Sequence, residues 1–211
     1  MRNLFKFAEI AGYLLIVIAV VCLFSSLGFI PHDDKGAYIH FTITLIEEAL
    51  LLILFALFVA NSARNSALRP ALIIALVASI IMFLSVMTQQ TLDLILVKKV
   101  DDRDDFLLNT FLPLCSVTDK VTTGSYILMS SGLLWMAKYM RKASAIQIFT
   151  ILVAIVPLVF NINSYFIWKI MADIDSENKW KIYNVISILL NTICFAGFYL
   201  SLSQMNTNKQ K

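Results

Sequence analysis

IAGYLLIVIAVVCLFSSLGFIP, residues 10–31, contains no Asp, Glu, Lys or Arg. A helix needs about 20 predominantly apolar residues to cross the hydrocarbon core of a bilayer. In lipid, such a segment can satisfy its backbone N–H and C=O groups within itself only by coiling into an α-helix. Uncharged runs of similar length recur at Pro70 to Leu92, Val121 to Ala137, Ala143 to Trp168 and Ile182 to Asn208. Gly36 to Ala63 would be another but for Glu47 and Glu48. The chain is therefore expected to be all-α, a polytopic transmembrane helical bundle with spans over 8–30, 37–60, 70–97, 119–138, 144–169 and 182–203 in one membrane domain, 1–211. A β-barrel is disfavoured because its strands are about ten residues long and alternate apolar with polar.

Composition agrees. Among 211 residues, 59% are hydrophobic and 15% charged, well away from the averages of a water-soluble domain. Arg2 and Lys6 ahead of the first run resemble the start of a signal peptide, but the run exceeds a usual signal core and no clear small-residue cleavage pattern follows, so a retained helix is expected. Cys22, Cys115 and Cys194 are odd in number and imply no disulfide framework; they read as small apolar fillers.

Charge sorts by side. The N-terminus, the turns after helices 2 and 4 and the C-terminus carry Arg2, Lys6, Arg64, Arg69, Lys138, Arg141, Lys142, Lys209 and Lys211, against Glu9 alone. The other face holds Lys35, Lys98, Lys99, Arg103, Lys120, Lys169, Lys179 and Lys181, diluted by acidic residues from Asp33 to Glu177. The positive-inside rule then places both termini in the cytoplasm, in a membrane expected to be the bacterial inner membrane. The connections on the basic face, Asn61 to Arg69 and Lys138 to Lys142, are short, as antiparallel neighbours favour. On the acidic face KKVDDRDD, residues 98–105, reads as a solvated hinge, and residues 106–115 as an interfacial helix, the alternative being a kinked extension of helix 4 around Pro113. In helix 4, Gly124, Ser125, Ser131 and Gly132 form pairs seven apart and predict close helix packing.

Helix 2 carries the chemistry. His40, Thr44 and Glu47 share one stripe, with Glu48 about 100° round the helix. At about 1.5 Å per residue Glu47 falls roughly 16 Å below the outer end, close to mid-bilayer. A carboxylate at that depth must face the bundle interior or a wet cavity and find a partner there. Neighbouring helices offer Ser85, Thr88, Gln89, Gln90, Thr91 and Asp93 at the end of helix 3, Asp119, Thr122 and Thr123 at the start of helix 4, Asn161, Asn163, Ser164 and Tyr165 after Pro157, and Asn184, Ser187 and Asn191 in helix 6. The candidate binding or proton/cation site is accordingly Glu47, Glu48, His40, Thr44, Gln89, Gln90, Asp93, Asp119, Asn161 and Asn191, lining one cavity in the outer half.

Other chemistries find less support. His40 and Glu47 are about 10 Å apart along the helix, so the i,i+4 geometry of helix-borne metal ligands is missing and no metal is expected. His32 beside Asp33 and Asp34 reads as solvated loop. There is no G-x-S-x-G, phosphate loop, H-E-x-x-H or C-x-x-C, so no catalytic residue and no cofactor is assigned. The basic residues sit in short loops rather than on one broad patch, which speaks against nucleic acid.

FAEIAGYLLIVIA at Phe7 to Ala19, LIEEALLLILFALF at Leu45 to Phe58 and VTDKVTTGSYILMSSGLLWMAKYMRK at Val117 to Lys142 give the chain a layout that resembles a family of bacterial six-helix membrane proteins defined only as a domain of unknown function. The resemblance implies six helices, with Asp119 opening helix 4 and a basic turn at Lys138 to Lys142 closing it, and implies no activity. The acidic hinge at Asp101 to Asp105 departs from that pattern. The function expected is that of a small membrane protein, in contact with lipid, whose polar cavity binds or passes a small solute or cation. The alternatives are a non-transport component, such as a sensor, partner subunit or immunity-type protein, and an intramembrane enzyme using His40 with a carboxylate.

Overall fold

The computed structural model describes residues 2–27, 29, 34–64, 66–97, 107–140, 144–170 and 176–204. Those residues form six α-helices and no strand: α1 (Arg2–Ser26), α2 (Asp34–Asn61), α3 (Arg69–Val97), α4 (Leu112–Lys138), α5 (Ala145–Ile170) and α6 (Ser176–Gln204). Each packs against its neighbours in sequence, and α6 closes against α1. The helices thus stand in a closed antiparallel ring, with α1 and α2 making the slimmest contact and α3 and α4 the broadest.

Four helical stretches are long and apolar enough to cross a membrane: Asn3–Ser26, Phe41–Asn61, Arg69–Ile95 and Val185–Gln204. In α5 the described apolar stretch is the shorter Ala145–Phe160, and α4 begins with the polar run around Asp119 and Lys120. The exterior carries many large apolar side chains. Along α1, Leu4, Ala8, Ala11, Leu15 and Ile18 are buried, while Ile10, Tyr13, Val17, Val20 and Phe24 face outward. Outward isoleucines, leucines and valines recur on the other helices too. A surface of this kind is stable against hydrocarbon and costly against water.

Local chemistry explains the turns. On the basic face, Asn61 Nδ2 donates to Leu57 O as α2 ends, and Arg69 Nη1 reaches back to Ser62 O at 3.2 Å, tying α3's start to the turn. Pro70 follows in the first turn of α3, where a missing N–H has no carbonyl to serve. Lys138 in the last turn of α4 complements the partial negative charge of that helix end.

The 106–115 stretch departs from the interfacial helix expected there. Leu107–Phe111 is one short π-helical turn that runs directly into α4. Pro113 falls in the first turn of α4 and Phe111 before it keeps helical backbone angles, so the chain runs on into α4 instead of breaking from it. The hinge at 98–105 and His32 lie outside the described residues.

The core occupies the half of the ring nearest the basic end. Leu4, Leu54, Phe55, Leu72, Leu133, Val153 and Phe198 join in one buried cluster. Ser125 and Gly132 of α4 are buried, whereas Ser131, from the other small pair, is exposed. A Cβ added to Gly132 would lie 2.9 Å from the Ala71 carbonyl oxygen and 3.1 Å from the Ala75 nitrogen, so α3 and α4 meet there backbone to backbone. Around Gly124 nothing lies within 4 Å of such a Cβ. Hydroxyls join the same helices: Ser85 Oγ donates to Thr118 O or pairs with Thr122 Oγ1, both at 2.9 Å.

Candidate functional site

Above the packed core, about 200 Å³ is left open at mid-height. All six helices contribute to its wall: Leu15 and Cys22 from α1, Glu47, Glu48 and Leu51 from α2, Met82 from α3, Tyr126 from α4, Pro157 from α5, and a broad face of α6. Glu47, Met82, Tyr126, Pro157 and Asn191 each stand close to the middle of their own helix. An up-and-down ring brings such midpoints to one level.

The α6 face follows a spacing of four: Ser187, Asn191, Phe195 and Tyr199 form one stripe, flanked by Ile188 and Thr192. Asn191 Nδ2 donates to Ser187 Oγ at 3.3 Å, and Thr192 Oγ1 donates to Ile188 O at 2.7 Å. On α5, Pro157 leaves the Val153 carbonyl without its helical donor. Ser130 of α4 donates across to the adjacent Ala154 carbonyl, which binds α4 to α5 just beside the proline.

Three buried polar atoms have no hydrogen-bond partner among the described residues: Glu48 Oε2, Asn191 Oδ1 and Tyr199 Oη. All three belong to residues of this one wall. Tyr126 and Tyr199 are near enough to Glu48 to feel its charge, and Cys22 near enough to feel that of Glu47. Among the described residues, no basic side chain lines the cavity. Two adjacent carboxyl groups therefore share a compartment whose described lining holds neutral hydrogen-bonding groups and apolar walls but no cation.

The sequence-predicted residues divide into separate groups. Glu47, Glu48 and Asn191 come together in the cavity, whereas the half-buried Thr44 is not part of its wall. Gln89, Gln90 and Asp93 lie about two to three turns farther along α3, toward the acidic end. There Gln89 donates a hydrogen bond to Asp119 of α4, and Asp93 and Asp119 sense each other's charge. Gln89, Gln90, Asp93 and Asp119 thus fall outside the cavity and at a different level, which corrects the expectation of one shared compartment in the outer half. The reason is height: a residue two turns up a helix is about 11 Å away, beyond the reach of any side chain across this ring. The side chains of His40 and Asn161 lie outside the described residues, as do those of Asn163, Ser164, Tyr165 and Asn184.

Cys22, Tyr126, Pro157 and Tyr199 were not among the candidates read from sequence. The signal for Tyr199 was the four-residue spacing that links it to Asn191 and Ser187, hidden by the apolar run CFAGFYL at 194–200. Among the described residues, no group of three or more His, Cys, Asp or Glu side chains stands together as a metal ion would require. Comparison with protein-family models, with curated proteins and with solved structures finds no match.

Proposed function

We propose that this chain is an integral membrane protein of six spans that receives a small cationic solute in the central cavity, with Glu47 and Glu48 supplying the countercharge, and that it passes the solute across the bilayer. The observation that carries this reading is that Glu48 Oε2, Asn191 Oδ1 and Tyr199 Oη, buried and unpartnered among the described residues, all belong to the wall of one cavity, in which no described side chain is basic. Leaving a buried polar atom unpaired costs about 1–3 kcal/mol, so three in one place favour a bound species that supplies hydrogen bonds and positive charge. That α4 and α5 belong to the same closed ring as the four apolar helices supports six spans. The packed cluster fills the basic end, which supports entry from the acidic end.

The test is thermal melting of the purified protein in lipid nanodiscs against a panel of inorganic and organic cations, followed by flux into proteoliposomes. A cation at 100 times its dissociation constant should stabilise the parent by about 2.7 kcal/mol. Saturable flux of that cation should follow, and Glu48→Gln should abolish both. Melting and flux indifferent to every cation would overturn the reading and leave the carboxyl pair a structural or partner-docking role.

A further inference from the structure

Resting on that reading, we infer that the cavity is built for a primary ammonium ion carrying a compact apolar body, rather than for a metal cation or a quaternary ammonium. The argument begins with what is unsatisfied. An ionised Glu48 Oε2 and Asn191 Oδ1 can only accept hydrogen bonds, and Tyr199 Oη can accept one while donating its own proton. The complementary ligand therefore brings donors. An ammonium head carries three N–H donors on one charged atom, the number needed to meet the three unpartnered oxygens that α2 and α6 bring to this wall.

The rest of the wall is of the opposite kind. Leu15, Leu51, Met82, Ile188 and Phe195 present hydrocarbon or sulfur. A metal ion stripped of its water would gain nothing from these groups, because hard cations take several oxygen ligands. An alkyl or small aromatic body gains dispersion contacts from every one of them. A quaternary ammonium would fit the aromatic part of the wall but has no N–H, and would leave Glu48 Oε2 and Asn191 Oδ1 as unpaired as before. Size agrees: a cavity of about 150 Å³ accommodates benzene, so about 200 Å³ accommodates a compact organic amine with a water molecule to spare.

The experiment uses the full chain in nanodiscs and measures melting and equilibrium binding with four probes: n-butylammonium, tetramethylammonium, Na⁺ and K⁺. The expected result is stabilisation by n-butylammonium, with tetramethylammonium at least about tenfold weaker and the alkali ions inert. Glu48→Gln should weaken n-butylammonium by about tenfold or more, and Tyr199→Phe, which keeps the ring and removes the hydroxyl, by a smaller factor. Should Glu48→Gln fail to fold, Tyr199→Phe decides alone, and unchanged affinity in it overturns the inference. Binding of tetramethylammonium or an alkali ion as tightly as n-butylammonium defeats the amine assignment while leaving a cation site intact. Indifference to all four probes overturns the inference, and indifference to the whole cation panel overturns the proposed function with it.

Discussion

Near the basic end, Leu54, Phe55, Leu133 and Val153 are fully buried and the ring is filled with side chains; at mid-height the same six helices leave about 200 Å³ unfilled and place two carboxyl groups against it. The difference lies in what each helix contributes at each level. Toward the basic end α3 and α4 meet through Ala71, Ala75 and Gly132, so backbones approach closely and large neighbours fill the remaining space. At mid-height the contributions are Tyr126, Met82, Pro157 and the glutamates, whose polar heads and proline-interrupted backbone prevent the same closure. A ring of six helices is wide enough to pack solid or to hold a compartment, and side-chain size at each height decides which.

That contrast makes graded predictions. The largest effect is expected from Phe55→Ala in the packed half. Outside the membrane such a truncation removes 3–5 kcal/mol; between helices in lipid the transfer part is small and the cavity part persists, so about 3 kcal/mol is expected, read as lost thermal stability in nanodiscs. An effect below about 1 kcal/mol would mean that this half is less tightly packed than its burial indicates.

Next comes Gly132→Val, which forces a branched side chain against the α3 backbone and should cost about 2 kcal/mol. Gly124→Val, eight residues away with nothing near its Cβ, is the control and should stay within about 0.5 kcal/mol of the parent. Equal destabilisation by the two would show that the small residues act through helix propensity and not through contact.

A smaller loss, about 1 kcal/mol or less, is expected for Ser85→Ala, which removes the hydroxyl linking α3 to Thr118 and Thr122. Hydrogen exchange should show the change in α3 and α4 before it reaches α1 and α6. The smallest effect on melting belongs to Glu48→Gln, which keeps shape and sits where there is space; ligand-free stability should change by about 0.5 kcal/mol or less while cation binding is lost. A large loss of ligand-free stability would make Glu48 part of the packed structure and erase the distinction between the two levels.

The uncharged runs and their lengths were enough to read helices and an apolar exterior, because in hydrocarbon a backbone has almost no alternative to helix. The mid-helix height of Glu47 and Glu48 on α2 was legible as well, since rise per residue converts sequence distance into height. So was the close packing of small residues on α4, although only the Ser125 and Gly132 pair turned out to be buried, with Gly132 against α3. What sequence could not give was the angular position of each helix and the identity of its neighbours. Ser187, Asn191 and Tyr199 share a stripe in any helix, but that the stripe faces Glu48 follows only from α6 closing the ring against α1. Likewise Gln89 and Asp119 looked equally able to serve the glutamates until heights were fixed, when they paired with each other near the acidic end of the ring. Local periodicity and hydropathy determine what each helix is; which polar groups share a compartment is decided by nonlocal packing, because contact between helices depends on rotation and height that no single segment encodes.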